Sequence, residues 1–134
     1  MKVQIQELVI DCADPAGLAE FWAHILEGTW GSLDEGWAAV EAGPFLLGFQ
    51  RVPEGKDTAK NRLHLDIRVP DATAAIERAL NLGARLTGHS HLDGTGNGYT
   101  VLQDPEENEF CFVVDNDGTW ESSTRSAARQ HRPA

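Results

Sequence analysis

The apolar and polar positions of this chain follow the same order twice. Residues 7–14 align without a gap with residues 64–71, at an offset of 57 positions. In each copy a strand-like run ends at an aspartate, and apolar residues at helical spacing follow it. Because two copies of one unit usually form two half-sheets about a pseudo-twofold axis, we expect a ligand site at the seam between them.

The first unit predicts a strand over about residues 3–12, followed by an amphipathic helix. Asp14 supplies an N-cap oxygen, and Pro15 takes the first helical position, where its missing N–H costs nothing. Gly28 ends the helix. The apolar stripe of this helix consists of Leu18, Phe21, Trp22, Ile25 and Leu26.

The second unit repeats this plan, with Asp71 as the N-cap and Gly83 at the end of the helix. Its stripe consists of Ala72, Ala75, Ile76, Ala79 and Leu80. Three short strands follow each helix, over about 29–33, 37–42 and 45–52, and then 85–89, 99–103 and 109–114. We therefore predict one α+β domain over 1–117. It contains two βαβββ modules, about 1–53 and 62–115, which form a concave cleft.

Strand alternation predicts which side chains line this cleft. Leu8 and Ile10 of the first strand, like Leu63, Leu65 and Ile67 of the fifth, are expected beneath their helices. The opposite phase is polar, which indicates a wet cleft rather than a second core. It contains Glu7, Val9 and Asp11 on the first strand, Arg62, His64, Asp66 and Arg68 on the fifth, and Glu109, Cys111 and Val113 on the last.

Composition narrows the class of protein. The chain has 134 residues and a net charge of −10, which argues against nucleic-acid partners. Two distant cysteines, no signal peptide and no membrane-spanning run predict a cytoplasmic protein. Residues 118–134 hold three arginines and one glutamate and are interpreted as a flexible polar tail. The alternative is a short helix laid across a partner subunit and anchored by Trp120.

Several runs of the chain resemble the vicinal oxygen chelate superfamily, the glyoxalase, bleomycin-resistance and extradiol-dioxygenase group. These runs are Asp-Pro-x-x-Leu-Ala-Glu-Phe-Trp from Asp14, His-Leu-Asp from His64, and Asp-Pro-Glu-x-Asn-Glu-Phe-Cys from Asp104. Residues 49–54 and 60–66 are similar to runs in bacterial glyoxalase-like domain proteins of unassigned function. The resemblance covers about residues 3–115 and implies the paired βαβββ fold, but no single chemistry.

The resemblance also implies where a metal would bind. Metal-dependent members place one ligand on each of four strands, and those positions hold Glu7, Gly48, His64 and Cys111 here. Glycine cannot ligate, and a thiol does not suit Mg²⁺ or Mn²⁺, so we predict no metal. The alternative is Zn²⁺ held by Glu7, His64 and Cys111. The set lacks the two-His-one-carboxylate triad, so an extradiol dioxygenase is not expected.

Two further segments carry predictions. A glycine-rich loop follows three ligand-capable residues, His89, His91 and Asp93. We interpret this segment as a solvated hairpin, and the alternative is that the three residues bind a metal ion. Residues 104–108 predict a hairpin turn. Relatives usually carry glycine at the place of Glu107, which implies a left-handed residue there; Asn108 is the alternative.

The functional prediction is a small-molecule protein of this superfamily. We expect a lyase or isomerase in which Glu7 or His64 moves protons, the two groups being brought together across the pseudo-twofold axis. The alternative is a non-catalytic protein that sequesters an aromatic or antibiotic-like ligand. A homodimer is expected in either case. The substrate-binding candidates are Trp37, Gln50, Arg62, Asp66 and Cys111.

Overall fold

The computed structural model describes residues 1–58 and 60–131, and these form the predicted βαβββ order twice. The first module contains β1 (Leu8–Cys12), α1 (Pro15–Leu26), β2 (Thr29–Asp34), β3 (Trp37–Ala42) and β4 (Phe45–Arg51). The second contains β5 (Asp66–Arg68), α2 (Ala72–Asn81), β6 (Arg85–Leu92), β7 (Gly98–Gln103) and β8 (Glu109–Val114). A third helix follows, α3 (Thr119–Ala128). The predicted α+β fold class is confirmed.

Each module builds one four-stranded mixed sheet, and the two sheets have the same topology. Their strand orders are β1-β4-β3-β2 and β5-β8-β7-β6. The first and last strands of each module pair in parallel, and the remaining pairs are antiparallel. This shared order agrees with the internal repeat of the sequence.

The helix caps follow the sequence, but the glycine after α1 has a different role from the predicted one. Asp14 Oδ1 accepts the N–H of Gly17, and Asp71 Oδ1 accepts that of Thr73. The left-handed residue that ends α1 is Glu27, with φ 55°. Gly28 is needed instead because a Cβ there would collide with the backbone carbonyl of Glu41.

One core joins the two modules. The stripe of α1 packs on β3 and β4, where Ala38, Val40 and Phe49 are fully buried. The same helix reaches the second module, because the rings of Trp22 and Phe110 are 4.9 Å apart. Polar contacts reinforce this seam. Trp22 Nε1 donates to Asp104 Oδ2 at 3.1 Å, and the carboxylate of Glu106 accepts the backbone N–H groups of Ala13 and Asp14.

The first and fifth strands are shorter than predicted. β1 begins at Leu8, which pairs with Leu47 of β4. Within residues 1–58 and 60–131 the positions before Leu8 have no strand partner, and Val3 is 81% exposed. β5 begins at Asp66, and Leu63 is 84% exposed instead of buried beneath the helix. The reason is visible at the start of β8, where the side chain of Asn61 donates to the carbonyl of Glu109 and takes the place of a strand partner.

Part of the predicted tail is helical. Residues 119–128 form α3, and Asp115 accepts the N–H groups of Trp120 and Glu121 at 3.1 and 3.0 Å, which satisfies donors that a helix start leaves free. No residue of α3 is buried. The last three positions of the tail, 132–134, lie outside the described residues.

Candidate ligand site on the shared sheet face

The two sheets have one face covered by α1 and α2 and an opposite face that carries the predicted site residues. We call the opposite face the site face. In β4, Leu47 and Phe49 are buried on the helix side, whereas Gly48 and Gln50 belong to the site face. The same alternation places the remaining candidates.

The ring of a tryptophan on β3 occupies the space beside Gly48, the position on β4 where the resemblance implies a metal ligand. Gly48 pairs with Val9 and Ala39, and the ring of Trp37 lies across it. A Cβ at position 48 would be 2.9 Å from Cζ3 of that ring and 3.3 Å from Oε2 of Glu7. Glu7 and Trp37 are thus neighbours on the site face, and a larger residue at position 48 has no room.

The second module brings three chemically active side chains together. Asp66 lies opposite Cys111 in the β5–β8 register, and His64 precedes β5 by two residues. His64 Nε2 is 3.2 Å from Asp66 Oδ1. One potential ligand atom of each of the three residues lies within 4.8 Å of the others. We call this set the His64 group.

Burial and charge determine the state of the thiol in the His64 group. Cys111 is 8% exposed, and burial raises its pKa to about 11, with further contributions from the charge of Asp66 and a hydrogen bond to it. The charge of Lys60 opposes this shift. Cys111 is therefore a neutral thiol at neutral pH, and not a nucleophilic thiolate.

The geometry of His64 suits proton transfer. Its side chain is 45% exposed and that of Asp66 is 49% exposed, so both are accessible from solvent. When the imidazole is neutral and Nε2 donates to the carboxylate, Nδ1 is left as the proton acceptor; this tautomer is inferred from the contact. Asp66 thereby fixes the orientation of the ring.

The other predicted residues are not drawn into this group. Glu7 lies beside Trp37, and no ion pair joins it to His64 within residues 1–58 and 60–131. The pairing of Glu7 with His64 remains a prediction, since a water-bridged contact is untested. Gln50 lies opposite Trp37 in the β3–β4 register. Arg62 is exposed in the segment before β5.

A cavity of about 410 Å³ adjoins the His64 group, between the site face of the second module and α3. Asp66 and Arg68 of β5 line it on one side, and Trp120 and Arg125 of α3 on the other. A larger cavity of about 610 Å³ lies between the start of α1 and the β2–β3 turn, and none of the predicted site residues line it. We therefore take the smaller cavity as the candidate ligand site.

The sequence predicts helix α3 only as the alternative to a flexible tail, and places it across a partner subunit rather than as a wall of this cavity. Arg68 donates to Asp115 Oδ2 and to Glu121 Oε2, both at 3.1 Å, and so ties α3 to β5. Arg125 donates to Glu121 Oε1 from the next turn of the helix, at 3.0 and 3.2 Å. The i,i+4 spacing of Glu121 and Arg125 is a sequence signal that favours a helix and could have been used here.

The segment with the other candidate metal ligands, His89, His91 and Asp93, forms a hairpin. Oδ1 of Asp93 accepts the backbone N–H groups of Thr95 and Asn97 and so holds the turn together. Strand β6 extends through His91 to Leu92. Within the part of the chain that the structure describes, the His64 group is the one cluster of three metal-ligating side chains, so these histidines form no second one.

The donors fit one class of metal. An imidazole, a carboxylate and a thiol suit Zn²⁺ with an open coordination position, and do not suit Mg²⁺ or Mn²⁺. Asp66 takes the place that the sequence assigned to Glu7 in this set. Capture of the ion must also remove the proton of Cys111, which costs about 5 kcal/mol at pH 7.5 for a pKa of about 11.

Comparisons with known proteins identify the family. The family model described as "Glyoxalase-like domain" matches residues 7–113. The chain belongs to the glyoxalase-like domain family. No curated protein sequence matches the chain. Its structural neighbours lie in the glyoxalase, bleomycin-resistance and dioxygenase group, the vicinal oxygen chelate superfamily, as the sequence resemblance predicted.

Three solved structures illustrate the fold. A fosfomycin resistance protein from Listeria monocytogenes has a TM-score of 0.68 at 12% sequence identity, and the match covers 87% of this chain and 96% of that one. A glyoxalase/bleomycin resistance protein/dioxygenase family enzyme from Burkholderia phytofirmans has a TM-score of 0.66 at 17% sequence identity, and the match covers 84% of this chain and 98% of that one. The bleomycin resistance determinant of transposon Tn5 has a TM-score of 0.58 at 19% sequence identity, and the match covers 85% of this chain and 99% of that one. At these identities the likeness shows the fold alone.

Proposed function

We propose that this glyoxalase-like protein is a lyase or isomerase that transfers a proton on a small molecule bound beside the His64 group. The observation that supports the proposal most directly is the 3.2 Å contact between His64 Nε2 and Asp66 Oδ1. A half-exposed imidazole whose second nitrogen is held by a carboxylate is a suitable general base. In this proposal His64 carries the proton and Asp66 orients the imidazole ring of His64. Glu7, beside Trp37, is a second candidate for carrying a proton.

The cavity supplies the rest of the proposed site. Its volume of about 410 Å³ lies in the range of small-molecule sites, and Asp66 connects it to the His64 group. A bound Zn²⁺, held by His64, Asp66 and Cys111, would supply Lewis acidity toward a ligand oxygen. Because a metal-bound His64 nitrogen cannot carry a proton, the two roles of this residue exclude one another.

A deuterium-exchange experiment tests the proposal. Small 2-hydroxyketones such as dihydroxyacetone are incubated with the protein in D₂O, and loss of the carbon-bound proton signal is followed by NMR. We expect His64→Ala to reduce exchange by roughly a hundredfold or more, and Asp66→Asn to reduce it less. His91→Ala is the matched control, because His91 is an exposed histidine outside the His64 group. Equal exchange by wild type and His64→Ala would rule out the proposed base.

The runner-up function is ligand sequestration without chemistry. The ring of Trp37 across Gly48 favours it, because an aromatic wall stands where metal-dependent relatives place a ligand. Two of the structural neighbours are described as fosfomycin and bleomycin resistance proteins. Saturable quenching of tryptophan fluorescence by such a drug, lost in Trp37→Ala and without any product, would support this function against the first.

We also propose that the protein is a cytoplasmic homodimer. Ile5 and Leu63, ahead of the two edge strands β1 and β5, are 82% and 84% exposed, so they offer apolar surface that a second subunit would cover. Both cysteines are free, as in a reducing compartment. No helix among the described residues is long and apolar enough to cross a membrane. Sedimentation of wild type and Leu63→Lys tests the dimer, and a monomeric wild type would exclude it.

A further inference from the structure

The geometry points to a carboxylate-binding subsite at Arg68, which the chain's own Glu121 fills in this structure. The subsite lies in the cavity beneath α3, two residues along β5 from Asp66. The inferred substrate class is a small organic carboxylate, and this part of the inference rests on the proposed function. Helix α3 lies beyond residues 7–113, the part that matches the family model, whereas Arg68 lies within that part.

The carboxylate of Glu121 is bound as that of a ligand would be. Arg68 Nη1 donates to Oε2 at 3.1 Å, and Arg125 donates to Oε1 through Nε and Nη2 at 3.2 and 3.0 Å. Both oxygens therefore accept charge-assisted hydrogen bonds from guanidinium groups. Paired guanidinium donors of this kind are a common receptor for planar carboxylates.

Two acidic groups contact Arg68, and they differ in how easily a ligand could replace them. Asp115 is 6% exposed and accepts the N–H groups of Trp120 and Glu121, so it holds the start of α3 and is committed to structure. The side chain of Glu121 is 49% exposed. Exposed ion pairs are weak, so an incoming carboxylate can displace Glu121 while Asp115 keeps its contacts.

The surroundings of Arg68 define the body of the ligand. Val113 and Trp120 contribute apolar and aromatic surface, and Thr124 offers a hydroxyl. At the other end, Asp66 orients His64. A carboxylate bound to Arg68 would therefore direct the rest of a small molecule toward the imidazole. Displacement of Glu121 would also release one of the contacts that hold α3 against β5, which couples binding to movement of this helix.

Titration with benzoate tests the subsite, with neutral benzamide as the isosteric probe. Binding is followed by the NMR signal of the Trp120 indole, assigned with Trp120→Phe, and by calorimetry. Because Glu121→Gln removes the charge of the internal competitor, we expect it to bind benzoate about fivefold more tightly than wild type. Arg68→Gln is expected to remove the preference for benzoate over benzamide. Arg78→Gln, in the last turn of α2 and outside the cavity, is the matched control and should change nothing.

Two results would overturn the inference. One is equal benzoate affinity in wild type and Glu121→Gln; the other is benzamide binding as tightly as benzoate. Since Arg68→Gln can also loosen α3, Arg125→Gln provides a second variant that leaves Arg68 and the helix cap in place, and it must weaken benzoate binding. Benzoate has no acidic carbon-bound proton, so its binding is read without turnover. Binding without deuterium exchange on ketones would reject only the proton-transfer role, and exchange without benzoate binding would reject only the subsite.

Discussion

The thiol of Cys111 should react slowly with alkylating reagents, and by an amount that the structure allows us to calculate. With its pKa at about 11 instead of 9.0, the thiolate fraction at pH 7.5 is about a hundredfold smaller than for an ordinary cysteine. A more basic thiolate is also intrinsically more nucleophilic, which returns roughly a factor of ten. The net expectation is alkylation about tenfold slower than for a free thiol. Burial of Cys111, which is 8% exposed, slows it further.

Substitution of Asp66 separates the causes of this shift. Burial is the largest cause and the charge of Asp66 the next, so Asp66→Asn should lower the pKa of Cys111 part of the way toward 9.0. Cys12 is the internal control. Its pKa is also raised to about 11, first by burial and then by Glu106 and other acidic groups that do not include Asp66. We therefore expect Cys12 to react equally in wild type and Asp66→Asn.

The assay is alkylation by iodoacetamide between pH 7 and 10, with the two modified peptides quantified by mass spectrometry. In wild type the rate at Cys111 should still rise tenfold per pH unit at pH 9.5, where an ordinary thiol has begun to level off. A plateau near pH 9 would refute the assigned cause, as would an identical Cys111 profile in Asp66→Asn.

The same shifts predict a loss of stability in alkali. Because the folded pKa of each cysteine lies above its unfolded value, the stabilisation is fully present below pH 9 and is lost as the pH rises toward 11. At pH 10 the loss is about 1.4 kcal/mol for each thiol, or about 3 kcal/mol together. Urea melts of wild type and of Cys12→Ser at pH 8 and pH 10 measure it, and the variant should lose about half as much as wild type.

Three further predictions concern the turn, the seam and the metal. Glu107 has φ 68°, so Glu107→Gly should be neutral or stabilising by up to about 1 kcal/mol and Glu107→Val destabilising in urea melts; a clear loss in the glycine variant would contradict this. Asp104 is 1% exposed, and its carboxylate oxygens act only as hydrogen-bond acceptors, so Asp104→Asn would turn an amide N–H toward other donors. We expect this variant to lower the free energy of unfolding by about 2–3 kcal/mol, and a decrease below about 1 kcal/mol would contradict the prediction. Protein purified without added metal should hold no stoichiometric divalent ion by elemental analysis; one-to-one Zn²⁺ lost in His64→Ala would show the reverse.

The fold was predictable because its signals are local and repeated. The aspartate caps follow from residues within a few positions of one another, and the left-handed conformation of Glu107 was implied by the resemblance to relatives that carry glycine there. The ends of β1 and β5 were not predictable, because the length of a strand depends on its partner. Asn61 replaces part of β5 through a contact 48 residues away.

The site was predictable as far as strand alternation reaches. Asp66 and Cys111 share a face because they lie opposite one another in adjacent strands, and His64 is two residues from Asp66. The proposed contact between Glu7 and His64 depends instead on how two modules pack, which no local pattern encodes. Helix α3 was only the alternative to a flexible tail for a related reason: its contacts to the rest of the chain are made through Asp115 and Arg68 rather than through an apolar stripe.

The two modules share a topology but have diverged at the positions that matter for chemistry. Gly48 and Cys111 occupy corresponding places on the site face, as do Glu7 and His64 at the starts of the two modules. In the first module the ring of Trp37 covers the glycine, whereas in the second the thiol lies beside His64. A symmetric chelate shared by both halves therefore does not suit this chain. The imidazole, carboxylate and thiol of the His64 group lie on the second module, the side to which α3 adds an arginine-lined cavity.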